Sequence, residues 1–268
     1  MRGRAIALAL ALSGSSAMAH AADTVLLHAA GSLRAALNEV AASYEKATGI
    51  RVIAKYGASG LLREEIAGGA RAEVFASANM EHPHALAQAG KSAPVVLFAR
   101  NQLCALARPG LAVEPASLLD VMLEARVKLG TSTPKADPSG DYAWEVFARA
   151  EKIRPGAFAT LSRKALQLTG APASTPPPAD RNLYGMLVSQ GRADLFLTYC
   201  TNAVAATKEN PGQRLVALPD DLAVGADYGL TVMSAASPQA TRFALYVLSV
   251  DAQRILASHG FAAPGLPH

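Results

Sequence analysis

The chain has 268 residues, 51% of them apolar and 17% charged, with 25 Lys and Arg against 21 Asp and Glu for a formal charge of +4. That apolar fraction builds a packed core and excludes a disordered chain, and the length allows one large or two modest α/β domains. The basic residues are scattered with no aromatic interleaving, which excludes a nucleic-acid interface and suits a small anion.

In chain order, residues 1–22 place Arg2 and Arg4 before an apolar stretch from Ala5 to Leu12 and end in small residues. This is the pattern of a secretory signal peptide, too short to span a bilayer, so the mature chain is expected to be exported and soluble. Residues 25–29 predict a buried strand. Leu33, Leu37, Val40 and Tyr44 then recur at helical spacing, with Ser32 as the expected cap and Gly49 as the end. A second strand is predicted over 50–56. The turn Gly57-Ala58-Ser59-Gly60 opens a helix over 61–67, and residues 73–76 predict a third strand.

Residues 85–89 belong to a short helix. His82 and His84, in MEHPHAL, read as a solvated loop, because two histidines around a proline with no cysteine or carboxylate cluster make a poor metal site. Two apolar runs, 95–99 and 103–106, are split by Arg100 and Asn101, where the chain is expected to pass from one lobe to another. A further element is predicted over 121–127. Asp137-Pro138-Ser139-Gly140 reads as a turn opening a helix over 141–150, and residues 169–178, TGAPASTPPP, as a rigid exposed excursion. A helix over 183–189, strands over 195–199 and 229–233, and one long helix over 241–258 complete the pass. Short apolar runs alternating with amphipathic helices predict an α/β protein with a parallel-type sheet.

The two cysteines, Cys104 and Cys200, are either a disulfide permitted by export or a pair of buried thiols. Gly31-Ser32, Ala58-Ser59-Gly60 and Ser139-Gly140 each put a serine among small residues at a predicted helix N-terminus. Unpaired N–H groups and partial positive charge suit an oxyanion there, although capping alone accounts for any one of the three. A serine hydrolase is disfavoured: Gly-x-Ser-x-Gly is absent at Ser59, and no Asp and His follow in the order α/β-hydrolases use.

The stretch from Ala29 to Asn79, AAGSLRAALNEVAASYEKATGIRVIAKYGASGLLREEIAGGARAEVFASAN, resembles the N-terminal segment of the periplasmic molybdate-binding proteins of ABC transporters. The resemblance continues through Asp137 to Ala143 (DPSGDYA), Ala193 to Tyr199 (ADLFLTY), Ala252 to Leu256 (AQRIL) and His259 to Phe261 (HGF). It implies a type II periplasmic binding fold: two α/β lobes, each a mostly parallel sheet flanked by helices, with the anion held in the cleft between them. Lobe I would comprise residues 23–99 and 224–268, and lobe II residues 100–223.

The resemblance further implies that Ser32 and Ser59 donate from the first lobe and the Tyr199 hydroxyl from the second. Ser139 would donate through its backbone, and a further backbone donor falls near Arg181, whose guanidinium points outward or adds a charge-assisted bond. No acidic acceptor falls at the matched positions. This suits a fully deprotonated dianion, molybdate or tungstate, whereas phosphate, partly protonated at neutral pH, would profit from an acceptor. If Cys104 and Cys200 pair, they tie two segments of lobe II near the cleft.

The resemblance thus implies a monomeric binding protein, without catalytic residues, cofactor or protein-ligated metal, that delivers its anion to an inner-membrane ABC permease. Arg181 and the run Tyr199-Cys200-Thr201-Asn202 depart from the family's pattern. They keep open a different oxyanion, another small anionic solute, or a ligand-sensing module.

Overall fold

The computed structural model describes residues 24–174, 176, 178 and 181–264; the signal-peptide segment lies outside them. In the first lobe β1 (Thr24–Ala30) lies between β2 (Arg51–Gly57) and β3 (Val74–Ser77), parallel to both. The register pairs Ala30 with Gly57, so the turns that leave β1 and β2 emerge side by side at the carboxyl edge. That edge is where open α/β sheets bind ligands. Helix α1 (Arg34–Thr48) buries Ala36, Leu37, Val40 and Tyr44 against this sheet and ends at Gly49. α2 (Ser59–Ala67) and α3 (Glu81–Gln88) follow β2 and β3.

The second lobe repeats the arrangement. β5 (Leu129–Ser132) lies between β6 (Leu166–Thr169) and β7 (Leu195–Tyr199), again parallel. Its helices are α4 (Leu118–Leu123), α5 (Pro138–Ile153), α6 (Ala157–Lys164), α7 (Leu183–Ser189) and α8 (Cys200–Glu209). Two long strands join the lobes. β4 (Val96–Ala107) pairs with β9 (Gly225–Val232) through Gln102 and with β7 and β8 (Arg214–Ala217) beyond it. β9 in turn runs antiparallel to β3. The strands form one sheet in the order β2-β1-β3-β9-β4-β7-β5-β6, with β8 on β4. Helices α9 (Pro238–Val247) and α10 (Val250–Ser258) return to the first lobe. The chain is a two-lobed α/β protein with crossing strands.

Several local expectations change. The two apolar runs around Arg100 and Asn101 are one strand, because both residues find partners there: Arg100 exchanges backbone hydrogen bonds with Ala262, and Asn101 turns its amide onto Thr201. The long C-terminal helix is two helices, broken where the Ser249 hydroxyl accepts the Ala252 N–H. His82 and His84 belong to α3 rather than to a loop, and His82 is buried. Residues 121–127 divide between the end of α4 and the loop before β5. α6, α8, β6 and β8 have no predicted counterpart. Ser32 caps nothing; it lies inside a 3-10 turn, Gly31–Leu33, that leads into α1.

The cysteines pair. Cys104 on β4 and Cys200 at the head of α8 form a disulfide with their Cα atoms 4.8 Å apart, closing a sequence separation of 96. The bond is inside the second lobe, one residue after Tyr199.

Candidate functional site

The carboxyl edges of the two parallel sheets face each other across a cleft. Ala30 to Ser32 and Gly57 to Ser59 enter it from the first lobe, and Asp137, Thr169, Tyr184 and Tyr199 from the second. They line a chamber of about 210 Å³, below the roughly 300 to 1,000 Å³ of pockets for drug-sized molecules.

Ser59 is buried at the first position of α2, where its hydroxyl accepts the Ala78 N–H at 3.1 Å. The Tyr199 hydroxyl donates to the Ala78 carbonyl at 3.4 Å, so one peptide segment of the first lobe touches both groups. Ser32 shares a hydrogen bond of 3.0 Å with the Tyr228 hydroxyl, which also accepts from Asn101 at 3.3 Å. The rings of Tyr199 and Tyr228 pack edge to face, 5.5 Å apart. Burial pushes both phenols well above their ordinary range, so at neutral pH each keeps the proton it needs as a donor.

Asp137 supplies the chamber's charge. It is the N-cap of α5, accepting the Ser139 N–H at 3.1 Å ahead of Pro138 at the first helical position. Burial pushes its carboxyl up to about 6. The neighbouring Asp141 charge adds to the rise, while the Ser139 N–H and the Ser132 hydroxyl oppose it. Gly170, at φ +84°, makes this fit possible, since a Cβ there would stand 2.5 Å from the Asp137 Cβ. The described part of residues 169–178 is accordingly more than an exposed excursion, since Gly170, Ala171 and Ser174 form a wall of the chamber; residues 175 and 177 lie outside the described residues.

The first lobe meets the second beside this wall. The Gly60 N–H donates to the Ala136 carbonyl at 2.9 Å, and a Cβ on Gly60 would collide with the Lys135 and Ala136 carbonyls. A glycine after Ser59 thus lets the turn of one lobe close onto the backbone of the other.

Of the five residues expected to bind ligand, Ser32, Ser59 and Tyr199 come together in the chamber. Ser139 does not. It is fully buried behind Asp137, its backbone N–H is committed to the Asp137 carboxylate, and its hydroxyl has no protein partner. Arg181 is exposed on a wider adjoining groove of about 590 Å³, with Arg34, Lys208 and His259. The two spaces share Gly31, Ser32, Leu183 and Tyr184. The sequence does not point to Asp137 as a lining residue, nor to Tyr228 and Asn101, which stand behind Ser32 without lining the chamber. Asp before Pro at a helix start was a visible capping signal, but burial beside a cleft is not written in that motif. Tyr228 and Asn101 lie on the crossing strands, and no local pattern marks them.

Among the described residues no group of three or more His, Cys, Asp or Glu is placed to hold a metal ion, and no helix is long and apolar enough to cross a membrane.

A family model for bacterial extracellular solute-binding proteins matches residues 25–262. The uncharacterized protein PM1146 of Pasteurella multocida is 33% identical over 208 residues, 77% of this chain and 86% of that one. Among solved structures, the sulfate-binding protein SubI from Mycobacterium tuberculosis aligns with a TM-score of 0.74 at 19% identity, covering 91% of this chain and 88% of the other. The periplasmic molybdate-binding protein of Azotobacter vinelandii aligns at 0.72 and 19% identity, covering 91% and 100%. At such identities the likeness is one of fold.

Proposed function

Because the chain belongs to the bacterial extracellular solute-binding proteins, we propose that it captures a tetrahedral oxyanion, molybdate or tungstate, between its lobes in the periplasm and delivers it to an ABC permease. One observation carries this reading: Ser32, Ser59 and Tyr199, from three separate turns, meet in one chamber of about 210 Å³. Hydroxyl donors suit a charged acceptor, for which each hydrogen bond is worth about 1.5 to 3 kcal/mol. Neither lobe holds the whole set, so closure of the lobes completes it and gives the permease a shape to distinguish from the open one. Arg34, Arg181 and Lys208, on the outer groove, draw the anion towards the chamber by long-range attraction.

Calorimetric titration of the mature protein at pH 7.5 with molybdate, tungstate, sulfate, phosphate and chromate tests the reading. One-to-one binding of molybdate and tungstate is expected. Heat from none of the five would reject an oxyanion as the solute.

A further inference from the structure

We infer that Asn101 and Tyr228, which do not line the chamber, are positioning residues that commit the Ser32 hydroxyl to donating into it. The inference rests on the oxyanion reading and deepens it: the donor character of one binding group is set from the crossing strands behind it.

Asn101 lies on β4 and Tyr228 on β9, and both are buried. The polarity of the chain they form follows from its one fixed end. The Gln102 N–H, which can only donate, meets the Asn101 Oδ1 at 2.9 Å, so the amide nitrogen of Asn101 is the atom that faces the other way. Its two hydrogens go to the Thr201 Oγ1 at 2.9 Å and the Tyr228 Oη at 3.3 Å. Tyr228 therefore accepts. Burial keeps this phenol protonated at neutral pH, and with that bond accepted its own hydrogen goes to the Ser32 Oγ, 3.0 Å away. Ser32 then accepts from behind, and its hydrogen is left for the chamber that it lines. The opposite polarity would turn the Ser32 hydrogen onto Tyr228 and present a lone pair to the anion. Ser59 follows the same logic by a shorter route. Its hydroxyl accepts the Ala78 N–H, a group that can only donate, so its hydrogen is also left for the chamber.

The test is a double-mutant cycle read by calorimetric titration with tungstate at pH 7.5, on the wild type, Tyr228→Phe, Ser32→Ala and the double variant, with melting curves to verify folding. Tyr228→Phe should weaken tungstate by about threefold to tenfold, as the loss of one hydrogen bond that orients a donor does. In the Ser32→Ala background the same change should alter affinity by less than about twofold, because no hydroxyl remains to be oriented. A residue that only shaped the chamber, or one whose hydrogen lay on the neighbouring Tyr199 phenol, would cost the same factor in both backgrounds. Asn101→Ala frees the phenol to accept from Ser32; put through the same cycle, it should weaken tungstate by about threefold or more with Ser32 present and by less than about twofold without it. It carries the test alone if Tyr228→Phe fails to fold. Equal losses in both backgrounds, or no loss with Ser32 in place, overturn the inference while leaving oxyanion capture intact. A wild type that does not bind tungstate overturns both.

Discussion

Tyr199 ends a strand with its ring packed between Tyr142 and Tyr228 and its hydroxyl on the Ala78 carbonyl; a strand-end tyrosine so buried would usually be read as core. What separates it from core is the company of Ser59 and Ser32 across the chamber. If these hydroxyls hold the anion, Ser32→Ala and Tyr199→Phe should each cost about 1.5 to 3 kcal/mol of binding, measured as a rise in Kd by calorimetry; unchanged affinity in both variants would reject the chamber as the site. Asp137 has a stability signature as well. Its carboxyl holds a proton more firmly when folded, with a pKa raised from 3.8 to about 6. Its contribution to stability is therefore fully present below about pH 4, declines as pH rises to about 6, and stays lost above. Asp137→Asn should raise the melting temperature, relative to wild type, more at pH 8 than at pH 4.5; an equal shift at both would show that the carboxyl does not titrate as described.

The disulfide acts on elements. Cys104 anchors β4 at the point where it pairs with β7, and Cys200 starts α8 directly behind Tyr199. The bond therefore fixes the helix start that positions the phenol. Closing a loop of about this length restricts the unfolded chain strongly, so the double change Cys104→Ser with Cys200→Ser should cost about 2 to 5 kcal/mol in denaturant unfolding. A loss below 1 kcal/mol would assign the bond a minor role. Element breaks follow the same local chemistry that marked them elsewhere. Ser249 interrupts the C-terminal helix by accepting an N–H of the next turn, a capping signal that a continuous apolar stripe masks in the sequence. Ser32 shows the reverse case: a good capping residue whose hydroxyl is drawn instead to Tyr228, 196 residues away.

At the scale of the molecule, the lobes meet where α2 begins. Gly60 donates to Ala136 with no room for a side chain, so Gly60→Ala should hold the lobes apart, enlarge the radius of gyration in solution scattering, and weaken anion affinity by tenfold or more. An unchanged radius would mean that α2 shifts instead. The sequence by itself determined the α/β class, the strand-turn-helix units and the serine-bearing turns after the first two strands. Those are local matters of periodicity, capping and small residues. It also carried, through resemblance, the two-lobed fold. Only the tertiary structure decided which turns share a chamber, because parallel register puts the ends of β1, β2, β5, β6 and β7 at facing edges. It likewise decided between disulfide and free thiols, left Arg181 on the outer groove, and turned Ser139 away. It also put a helix-capping carboxylate, Asp137, in the chamber wall, because only the fold brings the start of that helix to the cleft.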